Sequence, residues 1–286
     1  MSITSERCHI AFRKTERDLL RLFSSQQAEQ VHAFRTTTRR LQTLLEKVIA
    51  ERGRNQKKLL KLLGQIRKRA GKVRDVDVQL ATLRSLKIPQ EPRRKTQLMH
   101  RLIELRAKHE KKLRKLLTKE AIREIRKRLK RTFKDLKLES GRAPLTVARQ
   151  MLAQVRGQEL PLTEDVLHQY RVAVKRARYA VEFAPKSTET TQVLAELTRL
   201  QDAIGDWHDW LTLTHAAATR LGDVNRSPLV AALHNVTGGK FRHAVAALSA
   251  SPTIRHTPKP VPSVSEHSHK PNPKGLTFAA RSGSAA

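Results

Sequence analysis

Apolar residues recur every three or four positions along most of this chain, with polar residues between them. From residue 5 to residue 250, Leu, Ala, Lys, Arg and Glu dominate, and no regular alternation of apolar and polar residues stands out. A spacing of three and four places apolar side chains on one face of a helix, whereas alternation is typical of a strand. The pattern therefore predicts an all-α protein.

Proline and glycine mark the ends of the predicted helices, because proline removes a backbone donor and glycine loosens the helical backbone. These breaks fall near Gly53, Pro89 to Pro92, Ser140 to Pro144, Gly157 to Pro161, Pro185 and Gly222 to Pro228. The pair Gly238-Gly239 either ends a helix or only loosens one. We therefore expect about eight or nine helices.

Two blocks of sequence occur twice, about 136 residues apart. Residues 31–46 read VHAFRTTTRRLQTLLE, and residues 167–182 read LHQYRVAVKRARYAVE. Residues 63–75 read LGQIRKRAGKVRD, and residues 197–209 read LTRLQDAIGDWHD. Because both matches keep the same order along the chain, they predict two related helical halves.

In each copy, basic residues line one side of the first helix and continue on the second. The matched pairs are His32 and His168, Arg35 and Arg171, Arg39 and Lys175, and Arg74 and His208. Residues three and four apart share a helix face, and at about 100° per residue this basic face borders the apolar face. Once the helices pack, these charges must line a groove at the edge of the core.

Like charges at a core edge cost free energy unless an anion neutralises them. The chain has 58 Lys and Arg against 26 Asp and Glu, a formal net charge of +32. Such a charge leaves three classes of partner: nucleic acid, an acidic membrane or a phosphate polymer. A groove of arginines fits polyphosphate, because each guanidinium donates two parallel hydrogen bonds to phosphate oxygens.

Aromatic residues make up only 4% of the chain. This scarcity argues against single-stranded nucleic acid, whose bases stack on aromatic side chains. Duplex DNA stays open as a partner, because proteins often hold it through its phosphate backbone alone.

The sequence contains neither the GxxxxGK[ST] loop that binds phosphates nor the GxSxG elbow that carries a nucleophilic serine. The pair His208-Asp209, with His215 nearby, lacks the further ligands that a catalytic metal needs. We therefore predict a protein that is not an enzyme and has no cofactor. No apolar run approaches the length of about 20 residues that spans a bilayer, so we expect a cytoplasmic protein.

Other polar residues of the repeats have structural interpretations. We expect Asp75 and Asp209 to orient neighbouring basic residues, and Glu46 and Glu182 to pair with them. Taken alone, His32 or His168 is consistent with an ordinary residue at the edge of the core, but the occurrence of the same spacing in both copies favours a role in binding the anion. Trp207 and Trp210 are interpreted as core or interface residues, and Cys8 as a buried apolar side chain.

The composition changes after residue 250, where six of the 12 prolines lie among Ser, Thr, Lys and His. Such a segment cannot bury enough apolar surface to offset its chain entropy. We expect one domain over residues 1–250, with halves at about 5–137 and 143–250, and a disordered basic tail over 251–286. The tail is either a second polyanion contact or a solvated extension.

The chain resembles the CHAD family, the conserved-histidine α-helical domain, over about residues 5 to 248. The motifs that carry the resemblance are VHAFRTTTRRLQ, AGKVRDVDV, LHQYRVAVKRARYAVE and LQDAIGDWHD, in that order. The resemblance implies two four-helix bundles related by a pseudo-twofold axis, with a basic central pore. It also implies binding of inorganic polyphosphate and association with polyphosphate granules in bacteria.

Three features depart from the family pattern. Thr36 to Thr38 replace an apolar-rich run, and Asp206 stands opposite Lys72 in the repeat, which leaves the symmetry of the pore open. Many relatives also carry a triphosphate-tunnel hydrolase domain, whose Glu-x-Glu-x-Lys strand is missing here.

The leading hypothesis is polyphosphate binding without catalysis. The alternatives are sequence-independent DNA binding through the basic surface and tail, and an adaptor role toward another protein. The predicted polyphosphate contacts, taken from the repeat and the resemblance together, are His32, Arg35, Arg39, Arg40, Arg67, Lys72, Arg74, His168, Arg171, Lys175, Arg176, Arg178 and His208.

Overall fold

The computed structural model describes residues 5–49, 53–87, 91–137, 141–156, 162–222 and 227–255. Within these ranges the chain is helical and has no strand, which confirms the predicted all-α class. The helices are α1 (Ser5–Ser24), α2 (Ala28–Thr43), continued by a π-helical turn (Leu44–Val48), α3 (Arg54–Ser85), α4 (Pro92–Arg114), α5 (Lys119–Lys134), α6 (Pro144–Arg156), α7 (Glu164–Val181), α8 (Thr188–Leu221), α9 (Pro228–Ser249) and α10 (Pro252–Arg255).

The two repeated blocks lie on the second and third helices of each half. In the first half (α1–α5) they occupy α2 and α3, and in the second half (α6–α10) they occupy α7 and α8. Helix α2 packs against α7, and α3 packs against α8. The repeated helices of both halves therefore meet at the centre of the molecule.

Two hydrophobic clusters hold this arrangement together. The larger one joins the two halves and contains the fully buried Phe34 and Trp207. The smaller one joins the far ends of α3 and α8 to α4 and α9, with Leu83 and Leu213 among its members. Along α3 the larger cluster ends at Val73, so the polar side chains at the next turn lie where one core gives way to the other.

Two breaks between helices contain no glycine or proline, so the sequence did not predict them. Between α1 and α2, the buried side chain of Gln26 donates to the carbonyl of Leu22 at 2.7 Å and satisfies the end of α1. Between α4 and α5, the hydroxyl of Thr118 accepts from the amide of Ala121 at 3.2 Å and caps α5. Conversely, α9 continues without a break through Gly238-Gly239.

The folded part extends five residues beyond the predicted start of the tail at residue 251. Ser251 is buried, and α10 packs against α6 and α9. The carboxylate of Glu196 accepts the amide of Thr253 at 3.1 Å, and Ile254 is buried. Residues 251–255 are therefore folded, contrary to the prediction. The rest of the predicted tail, residues 256–286, lies outside the described residues.

Candidate functional site

A cavity of about 870 Å³ lies between the two halves. Its walls are α2 and α3 from the first half and α7 and α8 from the second, and α4 contributes two further side chains. Nine of the 13 predicted contact residues line it: His32, Arg35, Arg39, Lys72, Arg74, His168, Arg171, Lys175 and His208. Basic residues of both repeats therefore line the same cavity.

The other four predicted residues do not line the cavity. The guanidinium groups of Arg40 and Arg178 both pair with the carboxylate of Glu182, through contacts of 2.6 Å and 2.9 Å. The prediction that Glu182 pairs with basic residues is confirmed. Arg67 is half-buried, and Arg176 is exposed.

On the α2–α3 wall, Arg35 already has an anionic partner. Its guanidinium lies over Gly71, where an added Cβ would be 3.8 Å from Nη2, and its Nη1 is 3.5 Å from the carboxylate of Asp75. Asp75 therefore contacts a basic residue, as its predicted role requires. The buried Nε of Arg35 has no hydrogen-bond partner, so the pairing leaves part of the guanidinium unsatisfied.

On the α7–α8 wall, the matching contacts are not made. No side chain lies within 4 Å of a Cβ built on Gly205. Over the ranges given above, Arg171 forms no ion pair, not even with Asp209, and its buried Nε has no hydrogen-bond partner. The ring of His208 lies edge-on to that of His168, with centroids 5.4 Å apart, and its buried Nδ1 is also unpaired.

The cavity disfavours positive charge on its titratable groups. Burial, followed by the charge of Arg171, lowers the pKa of Lys175 to about 7, although Asp209 acts in the opposite direction. Burial and the same arginine lower the pKa of His208 to about 3. Burial, then Arg74 and Arg35, lower the pKa of His32. The empty cavity therefore holds more cations than its surroundings can compensate.

The acidic residues of the cavity do not balance these cations. Asp206 pairs with Lys240 at 2.7 Å, and Asp75 is engaged by Arg35. Burial raises the pKa of Asp209, because it disfavours the charged carboxylate, although Arg171 acts in the opposite direction. The arrangement can therefore accept several oxyanions, each through charge-assisted hydrogen bonds from guanidinium groups.

Two basic residues outside the repeated blocks also line the cavity and were not predicted. His109 on α4 lines the cavity, and Arg220 does so from the end of α8. Burial, then Lys112 and Lys72, lower the pKa of His109, so α4 extends the basic surface at the rim. No signal in the sequence pointed to His109, because α4 carries neither repeated block.

No group of three or more His, Cys, Asp or Glu side chains in the described part of the chain is arranged to hold a metal ion. In that same part, no helix combines the length and apolar character needed to cross a membrane.

A protein-family model matches most of this chain. The family model of the CHAD domain matches residues 6–218. The chain belongs to the CHAD domain family. The fold is also similar to the crystal structure of the CHAD domain from the plant Ricinus communis, with a TM-score of 0.60 and 18% sequence identity over 89% of this chain and 91% of that chain. The chain has no match among curated proteins.

Proposed function

We propose that this CHAD protein binds inorganic polyphosphate in the cavity between its halves and does not hydrolyse it. The observation that carries the proposal is the set of nine basic side chains, from two repeated helix pairs, around one cavity of about 870 Å³. Unpaired cations in a partly buried site are costly until an anion enters. A chain of phosphates supplies that charge at regular intervals and requires no groups that recognise bases.

The shape and lining of the cavity support polyphosphate over nucleic acid. Its volume lies within the range of about 300–1,000 Å³ that is usual for small ligands. A DNA duplex, whose major groove alone is about 12 Å wide, is too large for such a space. Tyr179 is the single Phe, Tyr or Trp among the lining residues, so the cavity offers little for base stacking.

Binding without turnover is supported by the chemistry of the lining. Enzymatic hydrolysis of phosphoanhydrides commonly uses metal ions held by carboxylates. Two of the four carboxylates that line the cavity instead pair with cations, Asp75 with Arg35 and Asp206 with Lys240. We accordingly expect polyphosphate to be recovered intact after incubation with the protein.

The direct test is a titration with long-chain polyphosphate at about 0.15 M salt, a concentration that screens weak surface attraction. Replacing Arg35 and Arg171 together by alanine should weaken binding by at least about tenfold for each arginine, since a charged hydrogen bond contributes about 1.5–3 kcal/mol. Arg123→Ala with Lys127→Ala is the matched control, because it removes two exposed charges from α5. Circular dichroism should show that all variants remain helical. Equal losses in both double variants would contradict the proposal.

One observation favours the second candidate, sequence-independent DNA binding. Helix α5 presents exposed cations to solvent, among them Arg123, Lys127, Lys130 and Lys134. Such a face can contact a phosphate backbone from outside. Duplex DNA titrated under the same conditions distinguishes the candidates. Tighter binding of DNA than of polyphosphate, lost in the α5 variant, would favour this alternative.

In the cell, we propose that the cavity targets the protein to polyphosphate granules. Fluorescence imaging of the tagged protein under phosphate-rich growth should show foci that coincide with polyphosphate. The Arg35 and Arg171 double variant should be diffuse, while the α5 control should keep its foci. Foci that persist in the cavity variant would show that targeting uses another surface.

A further inference from the structure

At two matched positions of the repeat, the walls of the cavity differ in whether their charge can change with pH. Where the first half has Arg39, the second has Lys175, and where the first has Arg74, the second has His208. All four side chains line the cavity. Arginine stays protonated in proteins, whereas lysine and histidine lose a proton when burial disfavours their charged forms. At these two positions the charge of the α2–α3 wall is therefore permanent, whereas that of the α7–α8 wall can titrate.

Lys175 is the group on the titratable wall whose pKa lies closest to neutrality. The strongest influences on it, after burial, are Arg171 on its own helix, Asp209 on α8, and two arginines of α2: Arg39 and Arg35. The two nearby imidazoles, on His208 and His32, also respond to the charge of Lys175. Helix α6 and the π-helical turn pack against α7 as well, but the strongest charges around Lys175 come from α2, α7 and α8.

The ammonium group of Lys175 has no carboxylate at ion-pair distance among the residues described. It is half-buried and lines the cavity together with Arg171, Arg39 and Arg35. With its pKa at about 7, it is largely neutral in the empty cavity at mildly alkaline pH. A phosphate that enters reverses this balance, because an anion nearby stabilises the charged form.

We propose that polyanion binding is coupled to proton uptake on the α7–α8 wall, and that Lys175 is the residue that takes up the proton. This inference rests on the proposed function. When the ligand enters, the lone pair of Nζ forms an N–H bond with a proton drawn from solvent. The resulting ammonium donates to the phosphate. On dissociation the proton returns to solvent, so the exchange balances with no other reactant.

The coupling has a defined pH window. Above about pH 7 the empty protein lacks the proton that the complex holds, so affinity falls as pH rises, by at most about tenfold per pH unit for one proton. Below that value Lys175 is charged in both states and contributes no slope. His208, with its pKa at about 3, stays neutral in the empty cavity over this range. The pH response therefore lies on the alkaline side of neutrality, unlike that of an ordinary histidine.

The test combines two measurements on the full chain with long-chain polyphosphate. Calorimetric titrations at pH 8 in buffers of different ionisation enthalpy report the number of protons taken up. Affinities measured from pH 6.5 to pH 9 report the slope. Long chains are required because the terminal phosphates of short chains also titrate.

Lys175→Arg is the decisive variant, because it installs the residue found at the matched position Arg39 and keeps the charge at every pH. We expect the uptake at pH 8 to fall by about one half to one proton, and the decline in affinity from pH 7 to pH 9 to become at least about fivefold smaller. Lys175→Met should also abolish the uptake, but should bind more weakly at pH 6.5. Lys186→Arg, an exposed position outside the cavity lining, is the matched control and should behave as the parent protein.

The outcomes separate the inference from the function on which it rests. Polyphosphate binding with an unchanged proton uptake in Lys175→Arg would overturn the coupling and leave the proposed function standing. The absence of binding at every pH would overturn both. Loss of uptake in Lys175→Arg but not in Lys186→Arg would support the coupling.

Discussion

On the α2–α3 wall of the cavity, Arg35 lies over Gly71 and pairs with Asp75 at 3.5 Å. On the α7–α8 wall, the corresponding Arg171 makes neither contact within the described structure. All three residues are the same at the matched positions of the repeat, which are Arg171, Gly205 and Asp209. The difference therefore comes from packing, since the side chain of Asp75 is 57% exposed while burial dominates the pKa of Asp209.

A repeated motif therefore does not guarantee two equivalent binding surfaces. The first wall compensates part of its charge internally, through an ion pair that exists before any ligand arrives. The second wall has a partly buried guanidinium without an ion pair among the described residues, and titratable groups whose charged forms burial disfavours. We therefore expect the second wall to contribute more to the affinity for an anion, and to cost more in stability when the cavity is empty.

The largest expected effect comes from replacing the two matched arginines one at a time. Arg171→Ala should weaken polyphosphate binding by about 100-fold, and Arg35→Ala by about tenfold, because Arg35 must share its charge with Asp75. Isothermal titration of both variants at equal salt measures the ratio. Equal losses, or a larger loss in Arg35→Ala, would show that the ion pair does not distinguish the walls.

A smaller effect is expected on the stability of the empty protein. Arg171→Met should raise the free energy of unfolding by about 1–2 kcal/mol, because it replaces an unpaired, partly buried charge by an apolar chain of similar length. Arg35→Met should give little or no gain, since it leaves Asp75 without its partner. Urea denaturation followed by circular dichroism measures both. A destabilised Arg171→Met variant would mean that its guanidinium has a compensating contact.

The smallest effect concerns the pH dependence of stability. The unfolded chain keeps Lys175 protonated up to about pH 10, whereas the folded protein loses this proton near pH 7. Since the unfolded state binds more protons between these values, stability should rise with pH across this window, by at most about 1.4 kcal/mol per pH unit from this group. Lys175→Met should remove that rise. Urea midpoints measured at pH 7 and pH 9 would count against the account if the variant kept the full increase.

The sequence predicted the helical class, which follows from local periodicity, and two related halves, which follow from self-similarity. The helix ends near Gln26 and Thr118 could not be predicted in the same way, since side-chain hydrogen bonds, not glycine or proline, define them. The five folded residues after residue 250 were missed for a related reason. Their anchor, Glu196, lies more than 50 residues earlier in the chain.

The site was predictable as far as the repeat extends. Arg40 and Arg178 look like equivalent members of the basic face, but both pair with the single carboxylate of Glu182, and its contact with Arg40 spans 142 positions of sequence. His109 enters the cavity from α4, which has no repeated block. The pairing of Arg40 and the position of His109 depend on tertiary contacts that spacing along one helix does not encode.

The most direct test of the central claim is the structure of the protein in complex with a polyphosphate chain. The account predicts phosphate density inside the cavity, with oxygens in contact with the guanidinium of Arg171 and the ammonium of Lys175, and further phosphates toward Arg39. Ordered polyphosphate on the outer face of α5, with the cavity empty, would contradict it.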